Sequence, residues 1–412
     1  MRRVHQKNTI RYYILIVVLL LFLFVSGDFG LVDVQKTAIV MAVGVDREED
    51  TFILTSQIAI PQSSKQGKST ETVQLVSRGK TVAQAFEEIN AKTGWYPKLV
   101  FCHLIILGEK TAKENAFDAL DFFLLDEYLT DNCLLATCDG LAADLLNVTA
   151  LVDPSGSLAM QKVLSSHAER VGTVLTSTLR EFSIGYFSDS KSAFLPILTT
   201  EPQQEKVGQK PSGNNSGGEQ SSGQNSSSGG EKSGSSGDEK SQDKPVFSAG
   251  ETALFVGGKR VGTLSKEDTF AFNAVKNQLR LATYTLENDG GMYSFTVRRN
   301  TPKVKFTLSE NGRMSVKIKL TMTAGLLDFS KALPLEQGKD AGDIPQNAFT
   351  QAEEKLSAQI KTLFEKCRAV NCDLFEVRSA LQKRKHSRYE ALKDSVLQDA
   401  LCFVEVRFQG VR

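Results

Sequence analysis

The hydrophobic pattern sets the first residues apart from the rest of the chain. Twelve uninterrupted apolar residues, Ile14 to Val25, follow a basic flank and precede Ser26-Gly27-Asp28. A basic flank before an apolar run is typical of a secretory or anchoring signal. As a helix the run measures about 18 Å, against a hydrocarbon core of about 30 Å, which favours a signal-peptide core. Residues 1–30 are therefore predicted to be a signal or membrane-anchor segment, with the remainder extracytoplasmic.

Residues 31–150 mix strand and helix patterns. Three β-branched runs predict strands, the first two forming a hairpin: Ala38–Val45, Phe52–Ile60 and Glu71–Ser77. Thr81 and Gln84 have capping-box spacing, and Gly94 is a stop signal, which together predict a helix. The continuous apolar run Leu99–Leu107 predicts a strand covered on both faces. Helical spacing follows near 116–125 and 141–146, around a strand that contains Cys133 and Cys138.

The next two segments differ sharply in composition. Helical spacing from Ser155 to Tyr186, closed by 193–196, predicts a small, mainly helical middle domain at 151–200. In residues 201–244 the one large apolar side chain is Val207, and Gly and Ser supply 20 of the 44 residues. Such a segment cannot bury enough apolar surface to offset its ordering entropy. We predict a disordered linker between two independently folded units, with its ends roughly 35 to 40 Å apart.

Residues 245–412 predict a C-terminal α+β domain. Two short strands flank Gly257-Gly258-Lys259, whose spacing does not fit a phosphate-binding loop. Ser265 and Asp268 predict a capped helix, and Phe349–Val370 predicts a long amphipathic one. Five further runs predict strands: Leu279–Leu286, Met292–Arg298, Val304–Leu308, Met314–Ala324 and Leu401–Phe408. The chain is thus predicted to be α+β, with three domains built on antiparallel or mixed sheets.

Composition and cysteine spacing exclude several classes of site. Apolar content of 41% and charged content of 24% are typical of a folded globular protein, and a net charge of +1 leaves no electrostatic footprint for nucleic acid. An even number of cysteines permits disulfides outside the cytoplasm. They are Cys102, Cys133, Cys138, Cys367, Cys372 and Cys402. In a strand, the separation of Cys133 from Cys138 sends the two thiols to opposite faces. We predict buried thiols and no metal site.

Four histidines, His5, His103, His167 and His386, are the available imidazole bases. His103 lies inside the apolar run, where a buried, hydrogen-bonded side chain is expected, with Phe101 and Ile105 on the same face. His167 and His386 have the context of solvated helix positions. No nucleophile elbow, metal-ligand cluster or paired acidic motif accompanies them. We therefore predict no catalytic, metal or cofactor-binding residue, and the ligand-binding residues stay unknown.

The order of elements and several local strings resemble one family, the Ger(x)C spore germination proteins, which are C subunits of nutrient germinant receptors of bacterial spores. The strings that carry the resemblance are Asp33-Val34, Ala38-Ile39-Val40, Gly44-Val45-Asp46, Lys80-Thr81, Cys102-His103, Gly108-Glu109, Gly250–Phe255 and Val261–Leu264 with Glu267. Where the family carries a lipidated Cys, this chain has Asp28, and a carboxylate cannot accept a thioether-linked lipid. Membrane association through Ile14 to Val25 without lipid modification is therefore expected.

The resemblance implies a membrane-tethered, extracytoplasmic receptor subunit at the spore inner membrane. Its implied partners are two integral membrane subunits, and it would act through binding and assembly rather than as an enzyme, with germinant binding triggering ion release. Two other functions stay open on the residues alone. They are an extracytoplasmic hydrolase with an unrecognised site and a solute-binding component of a transporter.

Overall fold

The computed structural model describes residues 12–22, 37–59, 72–148, 153, 155–165, 168–201, 246–288, 291–329 and 346–411. Helix α1 covers residues 12–22. The other helices are α2 Val82–Thr93, α3 Glu109–Leu125, α4 Ala142–Leu146, α5 Gly156–Leu164, α6 Ala168–Val171, α7 Leu179–Phe187, α8 Lys266–Val275, α9 Gln346–Ala369, α10 Val377–Arg384 and α11 His386–Leu392. The strands are β1 Thr37–Glu48, β2 Thr51–Ala59, β3 Thr72–Gly79, β4 Tyr96–Lys98, β5 Leu104–Leu107, β6 Leu134–Cys138, β7 Ser192–Glu201, β8 Val246–Val256, β9 Lys259–Leu264, β10 Ala282–Asn288, β11 Gly291–Leu308, β12 Met314–Phe329 and β13 Leu401–Gly410.

The larger of two sheets has nine strands. Its main path is β3-β2-β1-β5-β6-β7-β8-β9, and the short β4 pairs with the start of β1. The central strands β1, β5, β6 and β7 are parallel to one another, whereas the flanking strands pair antiparallel. Helices α2, α3 and α7 cover one face and α4 and α5 the other. Every residue of β5 and β6 is consequently buried, as expected for covered parallel strands.

Strand pairing continues across the Gly/Ser-rich segment. β7 and β8 are antiparallel neighbours, and their register places Glu201 opposite Val246. Paired residues lie about 5 Å apart, so the two positions that flank residues 202–245 are close together. The expected separation of roughly 35 to 40 Å is therefore wrong. So is the prediction of two independently folded units, because β8 and β9 complete the sheet that begins before the segment. The other predicted domain boundaries stay predictions, and residues 202–245 lie outside the described residues.

The β8–β9 turn packs closely against helix α3. Asn115 has non-helical angles (φ −163°, ψ 104°) that kink the helix, and the N–H of Ala116 donates to the carbonyl of Gly258 at 2.7 Å. Gly258 has φ +81°, and a Cβ there would lie 2.2 Å from Oδ1 of Asn115. Glycine alone fits such a position without strain. Gly258 therefore allows the hairpin to pack closely against α3.

Asp46 connects β1 to helix α4. Its carboxylate accepts hydrogen bonds from the backbone N–H groups of Ala142 at 2.8 Å and Ala143 at 3.1 Å. These N–H groups have no intrahelical partner at the start of a helix. Strand β1 and helix α4 lie close together at this point. A Cβ on Gly108 would lie 2.0 Å from the Asp46 carboxylate, and a Cβ on Gly44 would lie 3.0 Å from the Cβ of Ala142. Burial nevertheless raises the pKa of Asp46 above its usual value, against the two hydrogen bonds.

The smaller sheet has the order β10-β11-β12-β13, with its last pair parallel. Helix α9 packs on one face of it. The residues predicted for the apolar face of this helix are all buried: Ala352, Leu356, Ile360, Leu363 and Cys367. On the opposite face, Lys303 pairs with Lys319 and Lys305 with Lys317. This sheet is therefore covered by helix on one face only.

Most predicted elements are confirmed, and two predictions are corrected. The β1–β2 hairpin, the Gly94 stop of α2, the Ser265–Asp268 capping box of α8 and the β8–β9 turn are present as predicted. The run Leu99–Leu107 forms a strand only at β5, because Cys102 N–H donates to the Leu99 carbonyl at 2.8 Å and closes a turn. β11 merges two predicted strands across an irregular register. Helices α10 and α11 were not predicted.

All eleven side chains of helix α1 are exposed. They are all apolar or tyrosine. Within the described ranges, no helix combines the length and apolar character needed to cross a membrane. Asp28 and the remaining parts of the predicted signal or anchor segment, residues 1–11 and 23–30, lie outside the described residues.

Candidate functional site

A cleft of about 700 Å³ lies between the segment 177–194 and the C-terminal part of the chain. One wall is α7 with the start of β7. The other is formed by α10 and the residues just before it, together with Lys276 and Gln278 after α8. The cleft thus joins residues from three distant stretches of sequence, which only the pairing of β7 with β8 and the packing of α10 bring together.

Asp373 fixes the floor of the cleft. It is buried, and its carboxylate accepts the N–H groups of Val377 at 2.9 Å and Arg378 at 2.8 Å, at the start of α10. Its own N–H donates to Oγ of Ser192, which in turn donates to the carbonyl of Ser190 at 2.9 Å. Burial raises the pKa of Asp373, although these N–H donors and the Arg378 charge oppose that shift. The residue therefore holds α10 against β7.

An ion pair lies on the C-terminal wall of the cleft. Nζ of Lys276 lies 2.8 Å from Oε1 of Glu376, and this hydrogen bond lowers the pKa of Glu376. Glu376 occupies the left-handed region at φ +62°, a conformation that costs free energy for a non-glycine residue and persists where its surroundings fix it. Charged groups of both signs therefore occupy this wall of the cleft.

The opposite wall is apolar at its rim. Ile184 and Phe187 of α7 are 62% and 70% exposed and line the cleft. Large apolar side chains that stay exposed beside polar groups are typical of binding surfaces. Below them, Ser188 donates to the Gly185 carbonyl at 2.6 Å.

The described lining residues of the cleft include neither histidine nor cysteine. Ser188 and Ser192 each donate to a backbone carbonyl, so neither hydroxyl is directed at a general base. In the described part of the chain, no three His, Cys, Asp or Glu side chains are grouped to hold a metal. The groups that line this cleft offer hydrogen bonds, charge and apolar contact to a bound molecule.

His103 lies away from the cleft, at the opposite end of the parallel strands from Asp46. It precedes β5, where its N–H donates to the Met41 carbonyl at 3.0 Å and its carbonyl accepts from Leu134 at 3.1 Å. Burial lowers the pKa of His103, and Nε2 is buried with no hydrogen-bond partner among the described residues. The strand prediction for this residue is wrong, and Phe101 does not share a buried face with Ile105 because it is exposed.

The other histidines and the cysteines add no site. His386 is an exposed residue at the start of α11, as predicted, while His5 and His167 lie outside the described residues. All six cysteines are free thiols and five are buried. Cys133 and Cys138 belong to cores on opposite faces of the sheet, which confirms their predicted orientation. A hydrogen bond with the Cys102 thiol, together with burial, raises the pKa of Cys133.

Sequence reasoning did not find the cleft. Its polar residues carry no motif, and their separation in sequence hides their proximity. The one local signal is Asp373, four residues before the first residue of α10, in a position to accept N–H groups at a helix start. The αL conformation of Glu376 leaves no mark in the sequence.

The fold is that of an α+β protein built on two sheets. Comparison with protein families then gives its affiliation. The family described as spore germination protein N-terminal domain matches residues 31–200, and the one described as spore germination B3/GerAC like, C-terminal, matches residues 250–409. The chain therefore belongs to the GerAC-like spore germination proteins, the family predicted from its sequence strings. This is not a family of known enzymes.

A solved structure supports the fold. The structure titled "Crystal Structure of the GerBC protein" matches with a TM-score of 0.51 and 15% sequence identity, over 90% of this chain and 97% of that chain. At this identity the match concerns the α+β fold alone. The comparison with curated protein sequences finds no significant match.

Proposed function

We propose that this chain is the C-type subunit of a spore nutrient germinant receptor, tethered to the membrane on its extracytoplasmic side. It acts by binding and assembly with two integral membrane subunits, and it catalyses no reaction. The observation that carries the proposal is the match of two spore germination domains to residues 31–200 and 250–409. The exposed apolar side chains of α1 support the tether, because such a surface is stabilised by lipid.

The cleft is the described surface best suited to a protein partner. Exposed Ile184 and Phe187 offer apolar contact area, and the Lys276–Glu376 pair offers groups of both signs at the opposite wall. Protein interfaces combine an apolar centre with a polar rim in this way. We assign the occupant as an extracytoplasmic segment of one of the integral membrane subunits.

Co-purification tests the assembly. The tagged full chain, extracted from spore membranes in mild detergent, is expected to bring down two polytopic membrane proteins whose genes lie beside its own. Recovery of the chain alone, under conditions that keep other membrane complexes intact, would contradict the proposal.

A matched pair of variants tests the cleft. Ile184→Ser removes an aliphatic side chain that is 62% exposed beside the cleft, and Leu327→Ser removes one that is 60% exposed at the end of β12. Ile184→Ser is expected to reduce recovery of the membrane subunits and the nutrient response of spores, whereas Leu327→Ser leaves both unchanged. Equal effects of the two variants would show that the cleft is not the contact surface.

A further inference from the structure

A second exposed apolar surface lies at the end of the larger sheet where β1 begins. Its members are large aromatic or aliphatic side chains that are exposed to solvent. They are Trp95, Tyr96, Val100, Phe101, Leu125 and Tyr128, here called the aromatic edge. They come from the start of β4 and the residue before it, from the turn before β5, and from the end of α3 and the connection to β6. Because β1, β5 and β6 are parallel, the starts of these strands meet at one end of the sheet.

Local structure holds these side chains in place. Tyr96 pairs with Thr37 at the first position of β1. The turn closed between Leu99 and Cys102 places Phe101 at its tip, where it is 61% exposed. Nζ of Lys98 lies 3.9 Å from the ring centroid of Tyr128 and so joins β4 to the α3–β6 connection. The aromatic edge is therefore built by three segments and is not a loose chain end.

Its position relative to α1 indicates what covers it. Fourteen residues, 23–36, separate the last described residue of α1 from Thr37. A chain of that length spans at most about 50 Å. If α1 lies in a bilayer, the start of β1 and the aromatic edge beside it are held near the membrane surface. Tryptophan and tyrosine are the side chains enriched at that depth, where an apolar ring and a polar group are both accommodated.

We propose that the aromatic edge docks on the lipid interface and sets the orientation of the protein on the membrane. This inference rests on the membrane tether of the proposed function. The charges in these segments are of both signs, since Lys98 belongs to β4 and Asp126, Glu127 and Asp131 belong to the α3–β6 connection. Contact is therefore made by aromatic and aliphatic side chains, and it requires neither anionic lipid nor low salt, in contrast to attachment through a basic patch.

Trp95 is the one tryptophan of the chain and reports directly on the contact. The full chain is reconstituted into phosphatidylcholine vesicles with and without lipids brominated near the top of the acyl chains. Quenching of Trp95 emission and a shift of its maximum to shorter wavelength are expected, unchanged by added salt. Vesicle flotation measures the tether independently of Trp95.

Two variants that each replace an exposed phenylalanine by serine test whether the quenching depends on the aromatic edge. Phe101→Ser is expected to lose most of the quenching while flotation persists, and Phe403→Ser, an exposed phenylalanine of the smaller sheet, is expected to keep both. Flotation without any quenching of Trp95 overturns docking of the aromatic edge and leaves the tether intact. Quenching that disappears when the two integral membrane subunits are added also overturns it, in favour of a protein surface. Failure of the chain to float overturns the tether itself.

Discussion

The two sheets of this protein are assembled in different ways. The nine-stranded sheet takes β1 to β7 from before the Gly/Ser-rich segment and β8 and β9 from after it, and helices cover both its faces. The four-stranded sheet comes entirely from residues 282–410 and is covered on one face, while its other face pairs Lys303 with Lys319. The difference teaches that the most obvious boundary in the sequence is not a boundary between folding units.

This arrangement makes β8 important for the stability of the whole fold. Phe255 is fully buried, and its ring lies 5.2 Å from that of Phe182 in an edge-to-face arrangement, so a strand from after the segment fills a core formed before it. The same strand contributes Leu254 to the core of the C-terminal part. β8 is thus shared by both cores and couples their stability.

The largest expected effect is on Phe255. Phe255→Ala should lower the free energy of unfolding by about 3 to 5 kcal/mol, because it removes a fully buried aromatic ring and leaves a cavity. Chemical denaturation followed by circular dichroism measures this. Phe403→Ala, at a position 51% exposed on the smaller sheet, is the matched control and should cost less than about 1 kcal/mol. If both substitutions lowered the free energy of unfolding by the same amount, the distinction between the larger and the smaller sheet would be contradicted.

A smaller effect is expected at Asp46. Asp46→Ala leaves the N–H groups of Ala142 and Ala143 without their acceptor in a buried place, which should cost about 1 to 3 kcal/mol. Asp144→Ala removes an exposed carboxylate from α4 and should leave the free energy of unfolding nearly unchanged. Thermal unfolding of both variants separates the two cases. A neutral Asp46→Ala would contradict the role assigned to this residue in joining β1 to α4.

The smallest expected effect is the pH response of His103. Burial lowers its pKa from the ordinary 6.5, so the folded protein binds this proton less readily than the unfolded chain. Its contribution to stability is complete above pH 6.5 and is lost as the pH falls through the lower folded-state pKa. His103→Gln should flatten this part of the stability profile, whereas His386→Gln, at an exposed position, should leave it unchanged. Identical profiles for the wild type and His103→Gln would contradict the assignment.

Local signals in the sequence were sufficient for much of the fold. The spacing of apolar residues predicted the buried face of α9, and Ser265 with Asp268 predicted the start of α8, because both depend on neighbours within one or two turns. The turn that interrupts the run Leu99–Leu107 was missed, since a continuous apolar run does not reveal where it bends.

Long-range features could not be read in the same way. The register that pairs Glu201 with Val246 depends on the complete sheet, and composition between them suggested separation instead. The cleft was not predicted from the sequence for a related reason. Asp373, Ser192 and Lys276 have no common motif, and their proximity follows from the packing of α10 against β7. The GerAC-like affiliation was predictable because each of its strings is short and local in the sequence.

Cutting the Gly/Ser-rich segment tests whether the strands before and after it form one folding unit. A protease site placed within residues 213–230 of the full chain allows complete cleavage after folding, and the uncut protein with the same site is the control. We expect both fragments to elute together at the volume of the uncut protein and to unfold in one shared transition, because β7 and β8 stay paired. Separation into two fragments, each folded and with its own transition, would contradict it.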